Sequence, residues 1–229
     1  MSIFAIGDLH LPGGDDKSMA VFGSQWENHW EKIADDWQKR VCPQDIVLIP
    51  GDISWAMHLE DAVPDLKMIG TMPGRKIILR GNHDYWWGGI TRVREALPDG
   101  MLALQNDAVV LGETAFCGSR GWLYPGESAD GEDAKIYARE LIRMRLSLDR
   151  ARLLMPEGPI VVVTHFPPLG EGGTSTPMSE LIESYSVNDV VYAHLHGQAV
   201  KSAYSGTRNG VRYHFTSCDG LNFILYKLP

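Results

Sequence analysis

Short apolar runs, each closed by polar residues, recur along the chain. Residues 3–6, 45–49, 76–79, 159–163 and 190–193 read as buried strands, because their apolar positions are nearly continuous and short. Between them the apolar period changes to three or four residues. Residues 17–40 read as one long helix, with Phe22, Trp26, Trp30, Ile33 and Trp37 on a single face. Residues 58–69 read as a second helix, closed by Gly70 and Pro73, and residues 90–97 as a short third. Residues 134–154 form an Arg-rich amphipathic helix. Three short strands are expected at 102–104, 108–111 and 114–117. The Gly-rich, polar stretch 118–133 reads as a surface loop and candidate lid. Asn209-Gly210 lies between two alternating runs and signals a hairpin in a small antiparallel unit. Strands alternating with helices, followed by hairpins, predict a mixed α/β layered fold. No repeat or linker interrupts the 229 residues, so one domain over 1–229 is expected.

Composition narrows the function. Apolar residues make up 44% and charged residues 22%, a globular balance that excludes a disordered or fibrous chain. The net charge of -8 disfavours general binding to nucleic acid or to an anionic membrane. No run approaches the roughly 18 apolar residues of a membrane span. Cys42, Cys117 and Cys218 form no C-x-x-C pair, which argues against a zinc knuckle and fits a reducing compartment. The start of the chain passes directly into a strand without a basic segment and long apolar run. The expected location is therefore the cytoplasm.

The chemistry sits at the strand ends. The five runs finish in Asp8-Leu9-His10, Gly51-Asp52, Gly81-Asn82-His83-Asp84, Thr164-His165 and His194-Leu195-His196. Five of the eight histidines fall in these clusters. In open α/β sheets, ligands collect beyond the carboxyl ends of strands. Carboxylates, an amide oxygen and imidazoles make an oxygen–nitrogen donor set suited to Mn, Fe, Zn, Co or Ni. Asp8 with His10, and His194 with His196, are two residues apart, so in extended chain each pair points to one side. Any one of these residues alone also fits a helix cap, a turn or a core histidine.

Taken together and in this order, D-x-H, G-D, G-N-H-D, a lone His after a strand, and H-x-H closely resemble the calcineurin-like metallophosphoesterase superfamily. The likeness runs from Asp8 to His196. It implies a four-layer α/β/β/α sandwich of two mixed sheets flanked by helices. It further implies two divalent metals, with Mn favoured. Asp8, His10, Asp52 and His196 would hold one ion, and Asp52, Asn82, His165 and His194 the other. His83 would face the leaving group, oriented by Asp84. The implied activity is hydrolysis of a phosphomonoester or phosphodiester by a dinuclear-metal-activated water.

Other positions stay open between function and packing. Trp86 and Trp87 follow the Asn82-His83-Asp84 turn and are candidates for a pocket wall or for the core. Arg120 and Trp122 are candidates for a phosphate donor and an aromatic platform, or for an ordinary loop. His29, His58 and His214 have no motif around them. The superfamily's protein phosphatases carry G-D-x-x-D-R-G, whereas here Gly51-Asp52 continues as Ile53-Ser54-Trp55-Ala56-Met57. A protein phosphatase is thereby disfavoured, and the partner expected is a small phosphorylated substrate. A non-catalytic metal-binding scaffold and a nuclease are the rival readings. Oligomeric state is not encoded in any motif.

Overall fold

The structure is a computed structural model that describes residues 1–14, 18–127 and 130–229. It divides into two compact units, one of residues 1–103 with 216–229 and the other of residues 104–215.

The first unit is built on a five-stranded sheet. Its strands are β1 (Ile3–Ala5), β2 (Ile46–Ile49), β3 (Arg75–Leu79), β4 (Met101–Leu104) and β11 (Tyr226–Lys227). Their order across the sheet is β11-β1-β2-β3-β4. Strands β1, β2 and β3 are parallel, and β11 returns antiparallel to β1. Every β2 residue is buried, the pattern of a strand covered on both faces. Phe4, Val47, Ile49 and Ile78 pack with α1 (His29–Arg40), α2 (Leu59–Gly70) and α3 (Ile90–Ala96) through Ile33, Trp37, Ala62, Leu66, Ile69 and Val93. The Trp37 indole donates to the Pro73 carbonyl at 2.8 Å, so its polar edge is satisfied inside the core.

The second unit holds a six-stranded sheet. These strands are β5 (Ala108–Leu111), β6 (Thr114–Ser119), β7 (Ile160–Thr164), β8 (Asp189–Tyr192), β9 (Gly206–Arg208) and β10 (Val211–Phe215). Their order is β5-β6-β7-β8-β10-β9. The central β6, β7, β8 and β10 run parallel, with β5 and β9 antiparallel at the edges. Helices α4 (Glu132–Leu154) and α5 (Pro177–Glu183) contribute Met144, Leu148, Met178 and Ile182 to a core with Cys117, Val162, Val190 and Tyr213. Two mixed sheets flanked by helices therefore match the α/β class expected. Among the described residues, no helix is long and apolar enough to cross a membrane.

Three expectations need correction. Residues 17–40 do not form one helix. Lys17 lies outside the described residues, and two 3₁₀ turns, Met19–Phe22 and Ser24–Trp26, precede α1. Gly23 at φ +129° and Asn28 at φ +51° break the helical backbone. Trp26, Ile33 and Trp37 are nonetheless buried, while Phe22 is exposed. The C-terminal region is also not a self-contained antiparallel unit. The hairpin at Asn209-Gly210 exists, with both residues at positive φ, but β10 pairs parallel with β8 and β11 joins the other sheet. Ser128 and Ala129 of the expected 118–133 loop lie outside the described residues. The loop is also shorter than expected at both ends, because β6 continues to Ser119 and α4 begins at Glu132.

A buried ion cluster ties β8 to β10. Asp189 accepts two hydrogen bonds from the Arg212 guanidinium, both at 2.7 Å, and its Oδ1 lies 2.7 Å from His214 Nε2. Burial works to raise the Asp189 carboxyl, but His214 and Arg212 outweigh it and hold the group below the ordinary carboxylate range. A carboxyl depressed in the folded state stabilises above the unfolded pKa of about 4 and stops doing so as pH falls through the folded value. Arg212 is partly exposed, which reduces the contribution. Asp189→Asn should cost about 2 kcal/mol at pH 7, a loss of about 4–8 °C in Tm. The gap between variant and wild type should narrow by about pH 3 in thermal melts. A gap of unchanged size across that range would contradict this assignment.

Candidate metal centre

In the first unit, three loops leave the carboxyl ends of β1, β2 and β3 and are bound to one another. Beyond the strands the backbone ladder continues. Asp8 N–H donates to Gly51 O at 3.0 Å, His10 N–H to Asp52 O at 3.0 Å, and Leu11 N–H to Ile53 O at 2.9 Å. Gly81 must be glycine, since a Cβ there would lie 2.0 Å from Asp52 Oδ1 and 2.2 Å from Asp52 N. His83 N–H then donates to Asp52 Oδ1 at 2.8 Å, fixing the carboxylate.

Asp84 holds this arrangement together. It is fully buried, and its carboxylate accepts from the backbone N–H of Ile53 (2.8 Å), Ser54 (3.2 Å) and Gly81 (2.7 Å) and from the Trp86 indole (3.0 Å). Burial pushes its carboxyl up, against these four bonds, which favour the ionised form. Through these bonds Asp84 ties the β2 and β3 loops together. Asp65 of α2 acts similarly, accepting from Gly13 N–H at 2.8 Å and Ser54 Oγ at 2.6 Å.

Within this frame the ligand candidates cluster. Asp8 and Asp52 are buried and offer carboxylate oxygens within 4.8 Å of each other; Asp8 and His10 offer donor atoms within the same span. His10 Nε2 lies 3.9 Å from Asp52 Oδ2. Asn82 is half-buried in the turn after β3. Asp8, His10 and Asp52 all have left-handed backbone, at φ +57°, +44° and +51°. Such strain in non-glycine residues persists only where the surroundings over-determine it, and it gathers at functional sites.

In the second unit, His165 follows β7 and His194 follows β8. His194 Nδ1 lies 3.2 Å from His165 Nε2, and Ala193 N–H donates to His165 O at 3.1 Å. Two imidazoles on one ion at about 2.1 Å would place their nitrogens roughly 3.0–3.4 Å apart. His194 is also left-handed, at φ +77°, while half-buried His196 starts the turn after it. The first unit offers buried or half-buried carboxylate, amide and imidazole donors, and the second offers imidazoles, all at strand ends. That chemistry fits a divalent transition ion.

The structure sorts the remaining candidates. Trp86 and Trp87 are 2% exposed and pack in the core, and Trp86 also lines a cleft with His58, Tyr85 and Arg92. The aromatic residue beside the site is Trp55, which stacks on His10 at 4.7 Å and lies 4.7 Å from His83. Sequence reading missed it, although it stands three residues after Asp52 in the same loop. His29 is also tied to the site, with its ring 2.9 Å from the Leu9 carbonyl between two ligand candidates; burial lowers its pKa. Cys218 donates its thiol to the Asp8 carbonyl at 3.0 Å. In the second unit, Arg120 lies over the Trp122 ring at 4.9 Å, Trp122 packs on Phe166 at 4.8 Å, and Phe166 packs on His194 at 4.2 Å. Arg120 and Trp122 are therefore joined to the His194 turn through Phe166.

The family model for calcineurin-like phosphoesterases matches residues 1–198. The chain belongs to the calcineurin-like phosphoesterase family. It is a phosphoester hydrolase, and the candidate ligands agree with a metal-dependent one. No curated protein matches the chain. Among solved structures, it is similar to the phosphopantetheinyl hydrolase PptH of Mycobacterium tuberculosis, with a TM-score of 0.61, 16% identity and coverage of 99% of this chain and 95% of that one. It is also similar to TT1561 of Thermus thermophilus, with a TM-score of 0.60, 11% identity and coverage of 99% and 97%. The protein of unknown function AQ665 from Aquifex aeolicus gives a TM-score of 0.53 at 15% identity, with coverage of 99% and 95%. At these identities the likeness is one of fold.

Asp84→Asn keeps the side-chain volume but turns one oxygen into a donor that faces other donors. It should cost about 2–4 kcal/mol of stability. Metal content after reconstitution should fall with it, because the Asp52 and Asn82 loops lose their tie. Unchanged melting and full metal content would contradict the role given to Asp84.

Proposed function

We propose that the protein is a dinuclear metallophosphoesterase that hydrolyses a small phosphorylated substrate, and that Asp52 bridges the two ions. Asp8, His10 and His196 would complete one ion's ligands, and Asn82, His165 and His194 the other's. The observation that carries this reading is the pair of buried carboxylates, Asp8 and Asp52, with oxygens within 4.8 Å of each other. Two negative charges out of water at that spacing repel, and a divalent cation relieves both the repulsion and the desolvation cost. The order of the motifs supports the same ligand set.

The bound ions supply Lewis acidity toward the phosphoryl oxygens and hydroxide near neutral pH. The chain's own residues do the rest. Asp52 accepts from the His83 backbone N–H, so its carboxylate is anchored to the turn that carries the proposed acid. The His83 ring sits 4.7 Å from Trp55 and 6.1 Å from the exposed Tyr85 ring. As the P–O bond of the ester breaks, the His83 imidazolium gives its proton to the departing alkoxide oxygen. Manganese is our first assignment among the ions that this oxygen–nitrogen donor set suits, and the three unpaired cysteines favour the cytoplasm.

Protein stripped of metal and reloaded with Mn should hydrolyse bis-nitrophenyl phosphate, nitrophenyl phosphate or both. His83→Ala should lower kcat about 10²–10⁴-fold while keeping its metal. Asp52→Asn should lose metal as well as activity. Protein carrying two ions that turns over neither ester would overturn the phosphoesterase reading. A His83→Ala enzyme with normal kcat would overturn the acid role.

A further inference from the structure

A cleft of about 390 Å³ opens in the second unit beside the His194–His196 turn. Leu195, which stands between these two ligand candidates, forms part of its wall. Pro167, two residues beyond His165, forms another part. Leu123, Tyr124 and Tyr204 complete an apolar and aromatic surface, and Leu123 is 48% exposed there. The described lining contains one charged residue, Glu171, and no lysine, arginine or histidine.

The Tyr204 wall is fixed before any ligand arrives. Its N–H donates to the Tyr192 hydroxyl at 2.8 Å, the Tyr192 hydroxyl donates to the Tyr204 carbonyl at 2.7 Å, and the Tyr204 hydroxyl donates to Thr207 O at 3.2 Å. Its ring lies against the Gly173 backbone, where a Cβ would come within 2.5 Å of it. Such a preformed concave surface of suitable volume is what small-molecule sites share.

We propose that this cleft takes the alcohol half of the phosphoester, and that this half is an uncharged aromatic or branched apolar group. The assignment rests on the phosphoesterase reading above and adds the substrate class. Position supports it, since the cleft shares Leu195 with the ligand turn. Charge supports it further. A second phosphate or a carboxylate on the alcohol would meet aromatic faces, which are themselves electron-rich, and the Glu171 carboxylate. Desolvating an anion there without a cation partner is unfavourable. An uncharged aromatic alcohol instead buries its ring against tyrosine faces.

Binding to metal-free protein tests the cleft apart from any catalysis. Benzyl alcohol and benzoate carry the same ring and differ in charge. Saturation-transfer NMR should show benzyl alcohol bound and benzoate excluded. Leu123→Lys, at an exposed position that leaves folding intact, should admit benzoate with up to about a five-fold gain in affinity. On the Mn-loaded enzyme, kcat/KM for a benzyl phosphoester should exceed that for its carboxybenzyl analogue, and the same variant should shrink the ratio. Equal binding of both probes, or of neither, would overturn the inference while normal turnover left the phosphoesterase reading standing. Selective binding with a kcat/KM ratio that Leu123→Lys does not move would also overturn it. No turnover of any ester, with selective binding intact, would instead count against the phosphoesterase reading and remove the alcohol half as the occupant.

Discussion

The ligand-bearing edge of the first unit depends on one buried carboxylate. Asp84 offsets its desolvation with three backbone N–H donors and one indole, drawn from two different loops and from a core tryptophan. Beyond the parallel strands a few backbone bonds still join the loops, and the remaining loop N–H groups need other partners. Here Asp84 ties the loop after β2 to the turn after β3, and Trp86 anchors both to the core. The left-handed backbone at Asp8, His10 and Asp52 is tolerable because the surrounding bonds leave no alternative. The result is a set of candidate donors held in place by backbone hydrogen bonds.

Most of the fold was legible because its strands are fully buried. Runs such as Ile46–Ile49 and Ile160–Thr164 are buried at every position, and their ends are marked by Gly, Asp or His. The donor residues were legible for the same reason, since each follows such a run. The failures have physical causes. The apolar spacing over residues 17–40 predicts one helix, yet Trp26 reaches the core from a 3₁₀ turn that Gly23 and Asn28 set apart. Periodicity reports which residues are buried and cannot report which backbone buries them. Trp55, which no motif marks, stacks on His10 from the loop after β2. Asp84 was recognised as part of the G-N-H-D motif, but its partners include backbone groups 30 and 31 residues away, which no local pattern encodes. The pairing of β11 with β1 is likewise a long-range return.

The two units treat the ligand candidates differently. In the first, carboxylates and one imidazole are held by backbone ladders and by Asp84 and Asp65. In the second, His165 and His194 are positioned by packing, through Phe166 and then Trp122 and Arg120. Aromatic support of an imidazole fixes its ring plane without supplying a competing charge. It also links the ligand turn to the loop that carries Leu123 and Tyr124 of the apolar cleft.

The central claim is that Asp52 bridges two ions. An anomalous difference map from crystals of the Mn-loaded protein, recorded on either side of the Mn absorption edge, tests it most directly. The account predicts two peaks, both in contact with the Asp52 carboxylate. A single peak, or two peaks of which only one touches Asp52, would contradict it.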